Sequence, residues 1–585
     1  MQPSNYYPVS HQEPDGAGRS RFGLESLGQT STMTLSFWQS YLRDTLHRTT
    51  IANVTASSSQ EAIHKAQAQL DAEEDAMKYV TRVLHARRNA ISAISRLPVD
   101  VLLYIFAFLV DDDPPNMIAY YNNMRQSTLR LGWIAVTHVS HLWREVALEN
   151  ARLWCRIEGY PSLEWACAIL SRSQACALKV DIANGVTAPD VIDLVLSPSH
   201  LRRISELDLP DYTSDLHLLA KLAKPAPLLE FLNLYFPKGD NLSPLPEIIT
   251  TILHPRLQRL GIHNRSRLPC TVRLEHLIPV IQECHRLEKL TLRRFGPGDH
   301  LFDLAAIEGL HSRRRFSLPQ LKSLELLGAG SGVPLFLSQV DFPVSAAVWI
   351  HLEPIKAAFN PSWLCIPQLL PWAATAADRG TSPHFESLAL DTSAGNWASI
   401  RMPATARRDG GTRPSLRITV RKCISCMSRL PSLLDALHAH NYFRRITHCH
   451  LLACSEVDID YYGLEALLAS PGMSELKEMS VVEPTDVSIK FFKMLSLASV
   501  SGLDLTMPLP ALECLVLQGP KPSEHIPTFA LSGPFKEALL AFLMERQLHR
   551  RPLSECKIEN CGELGDFVDQ VEGLCTPASV AFRWQ

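Results

Sequence analysis

Beyond residue 180 one short text recurs, and it limits the fold more than any other feature of the chain: Leu-x-x-Leu-x-Leu. It stands as LLEFLNL (Leu229, Leu232, Leu234), LQRLGI (Leu257, Leu260, Ile262), LEKLTL (Leu287, Leu290, Leu292) and LKSLEL (Leu321, Leu324, Leu326). It returns as FESLAL (Phe385, Leu388, Leu390), LKEMSV (Leu476, Met479, Val481) and LECLVL (Leu512, Leu515, Leu517), and LSECKI ends on Cys556 and Ile558. Weaker copies are ISELDLP (Leu207, Leu209), VWIHL (Trp349 to Leu352) and SLRITV (Ile418, Val420). Such alternation belongs to a strand that buries one face. Amphipathic helical segments such as PDVIDLVLS, LEHLIPVIQEC, PSLLDALHAH and FKEALLAFLMERQL lie between the strands. Central strand positions step from 232 to 260 to 290 to 324, and later from 479 to 515 to 556, intervals of 28, 30, 34, 36 and 41 residues.

One strand and one helix cannot bury their own apolar faces, so the units must stack into a continuous core. The pattern predicts an α/β solenoid of parallel strands plus helices over residues 158–585, with irregular inserts near 328–376 and 401–414, where the rhythm lapses. It resembles a degenerate leucine-rich-repeat array. The intervals exceed the ~20–29 residues usual there, and the Asn or Cys expected after the strand is matched only at Asn560 and Cys561. Positions between the buried leucines face outward and are candidates for holding a target: Asp208, Asn233, Tyr235, Arg259, His263, Lys289, Arg293, Glu325, Asp391, Gln518 and Lys557. Their signs are mixed, so no single-charge ligand is implied.

Composition excludes other classes. The chain has 585 residues, 46% of them apolar, enough for a large core. Its 57 basic and 60 acidic side chains leave a net charge of −3, without the basic excess that nucleic acid would require. The longest apolar run, Val101 to Val110, is ten residues, against the ~20 needed to span a membrane. The N-terminal text lacks a basic start followed by an apolar stretch, and 14 cysteines in so long a chain do not form a disulfide framework. A reducing compartment, cytoplasmic or nuclear, is the expected location.

Residues 1–57 are rich in Ser, Thr, Gln, Pro and Gly and are expected to form a disordered arm. An apolar patch at Leu35, Phe37, Trp38, Tyr41 and Leu42 could form a short helix within it. Over 58–93 the text becomes helical, with Ser58 and Glu61 spaced as a capping box. Ile63, Leu70, Met77, Leu84 and Ile91 recur every seven residues, while the second seam, Ala66, Val80 and Ile94, is broken by Glu73 and Arg87. This predicts a long amphipathic, coiled-coil-like helix that packs back on the chain more readily than on another helix.

From Ile94 the text reads ISRLPVDVLLYIFAFLV, breaks at DDDPPN, and resumes as LGWIAVTHVSHLWREVALENARLW. Pro98 suits a first helical turn and Asp100 complements the positive helix end. Leu97, Pro98, Asp100, Val101, Leu102, Ile105 and Phe106, followed by Val139, Ser140, Trp143, Arg144, Val146 and Ala147, resemble the F-box family in order and spacing. The closing Arg152-Leu153-Trp154 is similar to the end of this domain in large fungal sets of such proteins, and the polar insertion from Asp111 to about Gln126 is longer than in many members. The resemblance implies a small all-α domain over 94–157 that binds the adaptor subunit of an SCF-type cullin ubiquitin ligase, with Leu97, Pro98, Leu102, Ile105, Phe106, Val139 and Trp143 as the adaptor-facing or supporting set. A non-catalytic receptor subunit without cofactor follows, in which the repeats hold an unidentified target protein. The alternative is a repeat scaffold with no ubiquitin role.

Other motifs are weaker. Cys423-x-x-Cys426 with His448, Cys449, His450 and Cys454 has the flavour of a metal site, but strand alternation would place some of these on opposite faces, and structural cysteines explain them more simply. His138 and His141 lack a third ligand. Gly328-Ala-Gly-Ser-Gly lacks both the last glycine of a dinucleotide fingerprint and the P-loop lysine, and the run His311 to Arg315 reads as a solvated face.

Overall fold

The computed structural model describes residues 36–41, 43–44, 53–118, 128–158, 163–182, 189–209, 222, 224, 226–236, 255–264, 274–294, 315–329, 332–353 and 361–371. Further along it describes 385, 387–391, 397–403, 415–421, 430–440, 442, 446–452, 471–482, 489, 492–493, 495–496, 509–519, 529–562, 564–575 and 580–583. The chain divides into two compact units, residues 1–102 with 138–144, and residues 103–137 with 145–585.

The first unit is dominated by helix α1 (Gln60–Ala90). Its N-cap is Ser59, whose hydroxyl accepts from the Ala62 N–H at 3.3 Å, one residue beyond the serine that the Ser58–Glu61 spacing suggests. Ser58 instead accepts from the Thr55 N–H. The apolar stripe of α1 is uncovered: Leu70, Met77, Val80 and Leu84 are exposed, and only Ala66 is buried. Expectation and structure differ here for a physical reason. Packing this stripe against a purely apolar surface of the same chain would strand the charges of Glu73 and Arg87 without an opposite charge beside them. Farther toward the N-terminus, residues 36–41 are helical, with Phe37, Trp38 and Tyr41 in edge-to-face contact; Leu35 and Leu42 lie outside the described residues.

Helix α2 (Val99–Asp112) starts where Pro98 places it, the Pro98 carbonyl accepting from the Val101 and Leu102 N–H groups. The insertion that follows is not helical throughout. Asn116–Ile118 pairs antiparallel with Thr128–Arg130. Gly132 then turns the chain at φ +54°, with the Asp113 and Pro114 carbonyls where a Cβ would stand, and the Trp133 N–H reaches the Asp113 carbonyl at 2.7 Å. The second apolar stretch is split into a 3-10 turn, Gly132–His138, and helix α3 (His141–Glu149). Ser140 causes the break: its hydroxyl accepts from the Trp143 N–H at 3.2 Å, as an N-cap does.

Among the described residues of the second unit, sixteen strands form one sheet. They are β1 (Arg156–Glu158), β2 (Leu178–Asp181), β3 (Ile204–Asp208), β4 (Phe231–Phe236), β5 (Arg259–Asn264) and β6 (Lys289–Arg293). β7 (Ser323–Ala329), β8 (Ala347–Glu353), β9 (Ser387–Asp391), β10 (Trp397–Pro403) and β11 (Ser415–Arg421) follow. The last are β12 (His448–Leu452), β13 (Glu478–Val482), β14 (Cys514–Gln518), β15 (Glu555–Glu559) and β16 (Val580–Arg583). The strands run in chain order from β1 to β8, then β11, β10, β9, then β12 to β16. All pairings are parallel except those of β10 with its two neighbours. The central leucines form a single rung: Leu207, Leu232, Leu260, Leu290, Leu324 and Val348 stand opposite one another on successive strands, as do Met479, Leu515 and Cys556. All are at most 1% exposed, so the alternating pattern is the core of the sheet.

Two expectations need correction. The strands are mostly, not uniformly, parallel, because only five residues separate β9 from β10, too few for the crossover of a dozen or more that parallel neighbours require. The helical domain is also not wholly α: besides the strand pair at 116–130, its last residues supply β1 at the edge of the large sheet. Trp154 anchors this junction. Its indole N–H donates to the Ala147 carbonyl at 2.8 Å, its ring meets Trp133 edge-on, and the Arg172 guanidinium lies 4.5 Å above it. No helix among the described residues is long and apolar enough to cross a membrane.

Candidate functional site

Helix α2 carries two apolar faces, and only one is used inside the chain. Leu102, Phe106 and Val110 recur every four residues and are buried, with Leu102 and Phe106 fully so. Val101, Tyr104, Ile105 and Phe108, at helical spacings of three and four, are exposed. Tyr104 and Phe108 meet edge-to-face at 5.3 Å, which stiffens two rings that would otherwise swing in water. An exposed apolar stripe of this kind is a candidate docking face. Of the adaptor set named from sequence, Ile105, Pro98 and Val139 are exposed, Leu97 and Trp143 half-buried, and Leu102 and Phe106 wholly internal. Tyr104 and Phe108 were missed. The 3.6-residue period makes them neighbours of Val101 and Ile105, and that signal was available.

A second candidate surface is the polar face of the sheet, where the outward positions align into rows. Asp181, Asp208, Asn233, Gly261, Thr291, Glu325, Trp349 and Arg417 stand opposite one another on successive strands from β2 to β8 and β11. Two residues along lies the row Tyr235, His263, Arg293, Leu327, His351 and Thr419. Parallel, in-register strands cause this, since each pair sets side chains of the same parity side by side.

The rows are joined by specific contacts. The Asn233 amide donates to Asp208 at 2.9 Å. Tyr235 and His263 stack at 4.5 Å with their planes 11° apart. Gly261 makes room for this, because a Cβ there would overlap the Asn233 side chain and crowd His263. Arg293 gives two N–H groups to one Glu325 oxygen, and Arg294 clamps both oxygens of Glu353 at 3.0 and 3.1 Å. Burial pushes the Asp208 carboxyl up to about 6; the Asn233 hydrogen bond opposes this and nearby Asp181 adds to it. Burial likewise raises Glu158 and lowers His351.

The remaining outward candidates fall on the same side of their strands. Arg259 and Lys289 are exposed rung partners. Gln518 donates to Glu559, and Lys557 pairs with Glu555 at 2.9 Å. His263 and Glu325 are nearly buried by their neighbours, so outward does not mean accessible. Asp391 sits on β9, and its side chain lies outside the described residues. Sequence reading missed Thr291, Trp349 and His351, although each occupies an outward position of a strand it had found. Trp349 is 41% exposed and is the large aromatic of the first row.

Of the metal-like cluster, Cys423, Cys426 and Cys454 lie outside the described residues, while Cys449 is buried on β12 between His448 and His450. Arg315 ties backbone carbonyls of Leu337 and Val340 and pairs with Asp341. His138 and His141 are exposed. Comparison with known proteins gives one match of family type: residues 94–158 fit the F-box-like family model, placing an F-box-like domain over α2 and α3. No curated protein matches the chain.

Proposed function

We propose that this protein is the substrate-recognition subunit of an SCF-type cullin ubiquitin ligase. The observation that carries the reading is the coincidence of the F-box-like match at 94–158 with the exposed stripe Val101, Tyr104, Ile105 and Phe108. F-box domains bind the small adaptor subunit, and through it the cullin. Here the stripe supplies the adaptor-facing surface, with Pro98 and Val139 exposed beside the motif and Leu97, Leu102, Phe106 and Trp143 supporting it. A specific interface of this type buries ~1,600 Å² and draws most of its energy from a few aromatic anchors. The ending Arg152-Leu153-Trp154 supports placing the domain with the large fungal sets.

The sheet is read as a degenerate leucine-rich-repeat solenoid whose polar rows hold a target protein. Its parallel rungs and its regular spacing of buried leucines support this. The subunit is then non-catalytic and without cofactor, cytoplasmic or nuclear, and acts by proximity: adaptor on the F-box-like helices, target on the rows, ubiquitin transfer by other subunits. Tethering of this kind raises effective concentration without new chemistry. Co-purification of the full chain with adaptor and cullin tests the reading. A folded chain that captures a target but never the adaptor would instead be a repeat scaffold with no ubiquitin role.

A further inference from the structure

Helix α1 divides its charge between its halves. Gln60–Asp75 holds Glu61, Asp71, Glu73, Glu74 and Asp75 against Lys65, a net of 1 − 5 = −4. Ala76–Ala90 holds Lys78, Arg82, Arg87 and Arg88 and no acid, a net of +4. The helix dipole accounts for Glu61 in the first turn and Arg87 and Arg88 in the last, but its influence fades within a turn of each end. Within the helix Lys78 pairs with Glu74 at 2.7 Å and Asp75 at 3.3 Å, but neither these pairs nor the dipole account for Asp71, Glu73 or Arg82 in the middle. The apolar stripe Leu70, Met77, Val80 and Leu84 lies exposed along the same helix.

We propose that α1 is a dimerisation element that pairs antiparallel with α1 of a second copy of this chain. Antiparallel pairing sets each −4 half against a +4 half, whereas parallel pairing sets like against like over the full length. The seam agrees with this orientation. In the register that places Met77 against Val80 of the second copy, Leu84 faces Glu73, Leu70 faces Arg87, and Ala66 faces Ile91. Glu73 then lies three residues, about 4.5 Å along the axis, from the level of the second copy's Arg87. The two residues that break the seam thus become an opposite-charge pair in adjacent layers of it. A parallel pair would place Glu73 against Glu73 and Arg87 against Arg87 inside it, a costly arrangement. The first seam is apolar at all five positions from Ile63 to Ile91, a span of four heptads.

Light scattering on the full chain tests this, with the expected result a dimer at low ionic strength that weakens about tenfold or more in ~1 M salt, where exposed charges are screened. Converting Asp71, Glu73, Glu74 and Asp75 together to Lys should yield a monomer, and so should converting Lys78, Arg82, Arg87 and Arg88 to Glu. An equimolar mixture of the two variants should dimerise again, which shows that both retain the helix. Amine cross-linking of mixed isotopic copies reports orientation. Antiparallel pairing joins Lys78 to Lys78 but holds the two Lys65 residues 92 − 65 = 27 residues, about 40 Å, apart. A monomer at low salt, a dimer indifferent to the fourfold reversal, or a Lys65–Lys65 cross-link would each overturn the proposal.

Discussion

Phe106 and Phe108 lie two residues apart on α2, and the proposed function gives them opposite duties that one experiment separates. Phe108 is 63% exposed, while Phe106 has no accessible surface. A phenylalanine presents about 200 Å², so docking would cover roughly 125 Å² at Phe108, about 3 kcal/mol at ~25 cal/mol per Å². Phe108→Ala should therefore weaken adaptor binding by about a hundredfold while leaving unfolding unchanged within about 0.5 kcal/mol. Phe106→Ala should cost about 3–5 kcal/mol of stability through the cavity it leaves. Titration calorimetry with purified adaptor, paired with chemical denaturation, measures both effects. A folded Phe108→Ala chain that binds adaptor at full strength would refute the assignment of this face.

Three further outcomes follow from single contacts. Asp208 has a folded pKa of about 6, above the ~3.9 of a free carboxyl, so its ionised form costs stability above pH ~6 and that cost vanishes below pH ~4. Asp208→Asn should thus raise stability by about 1 kcal/mol at pH 7, after discounting for its partial exposure, and by almost nothing near pH 3.5; paired urea melts read the difference. Arg546 is 1% exposed and donates to the Leu509 and Leu512 carbonyls at 3.0 and 2.7 Å. Arg546→Met should lower stability by about 3 kcal/mol, seen as a shift in the denaturation midpoint, because two buried carbonyls lose charged donors. Gly261→Ala should cost about 1–2 kcal/mol by displacing Asn233, and most of that cost should disappear in an Asn233→Ala background, as a double-mutant cycle would measure.

Much of the sheet was legible in the residues. The steps 232, 260, 290 and 324 are rung partners, and so are 479, 515 and 556, because a buried period-two pattern fixes both strand and register. The reversal through β10 was not legible. SLRITV was read as a weak repeat, and nothing local in it reveals that its neighbour runs antiparallel. On α2 the motif singled out Ile105 beside Phe106, but resemblance does not say which side of a helix the chain uses for itself. That left Tyr104 and Phe108 unnamed.

The leucine alternation determined on its own that this chain must build strands sharing one buried face, since no lone strand can keep that face from water. The charges of α1 equally determined that its stripe could not be buried against a purely apolar surface without stranding Glu73 and Arg87. Which outward residues meet one another was decided only by tertiary structure. Asp208 with Asn233, Tyr235 over His263 and Arg293 with Glu325 are 25 to 32 residues apart in the chain, and only strand pairing, set by the lengths of the intervening connections, brings them into contact.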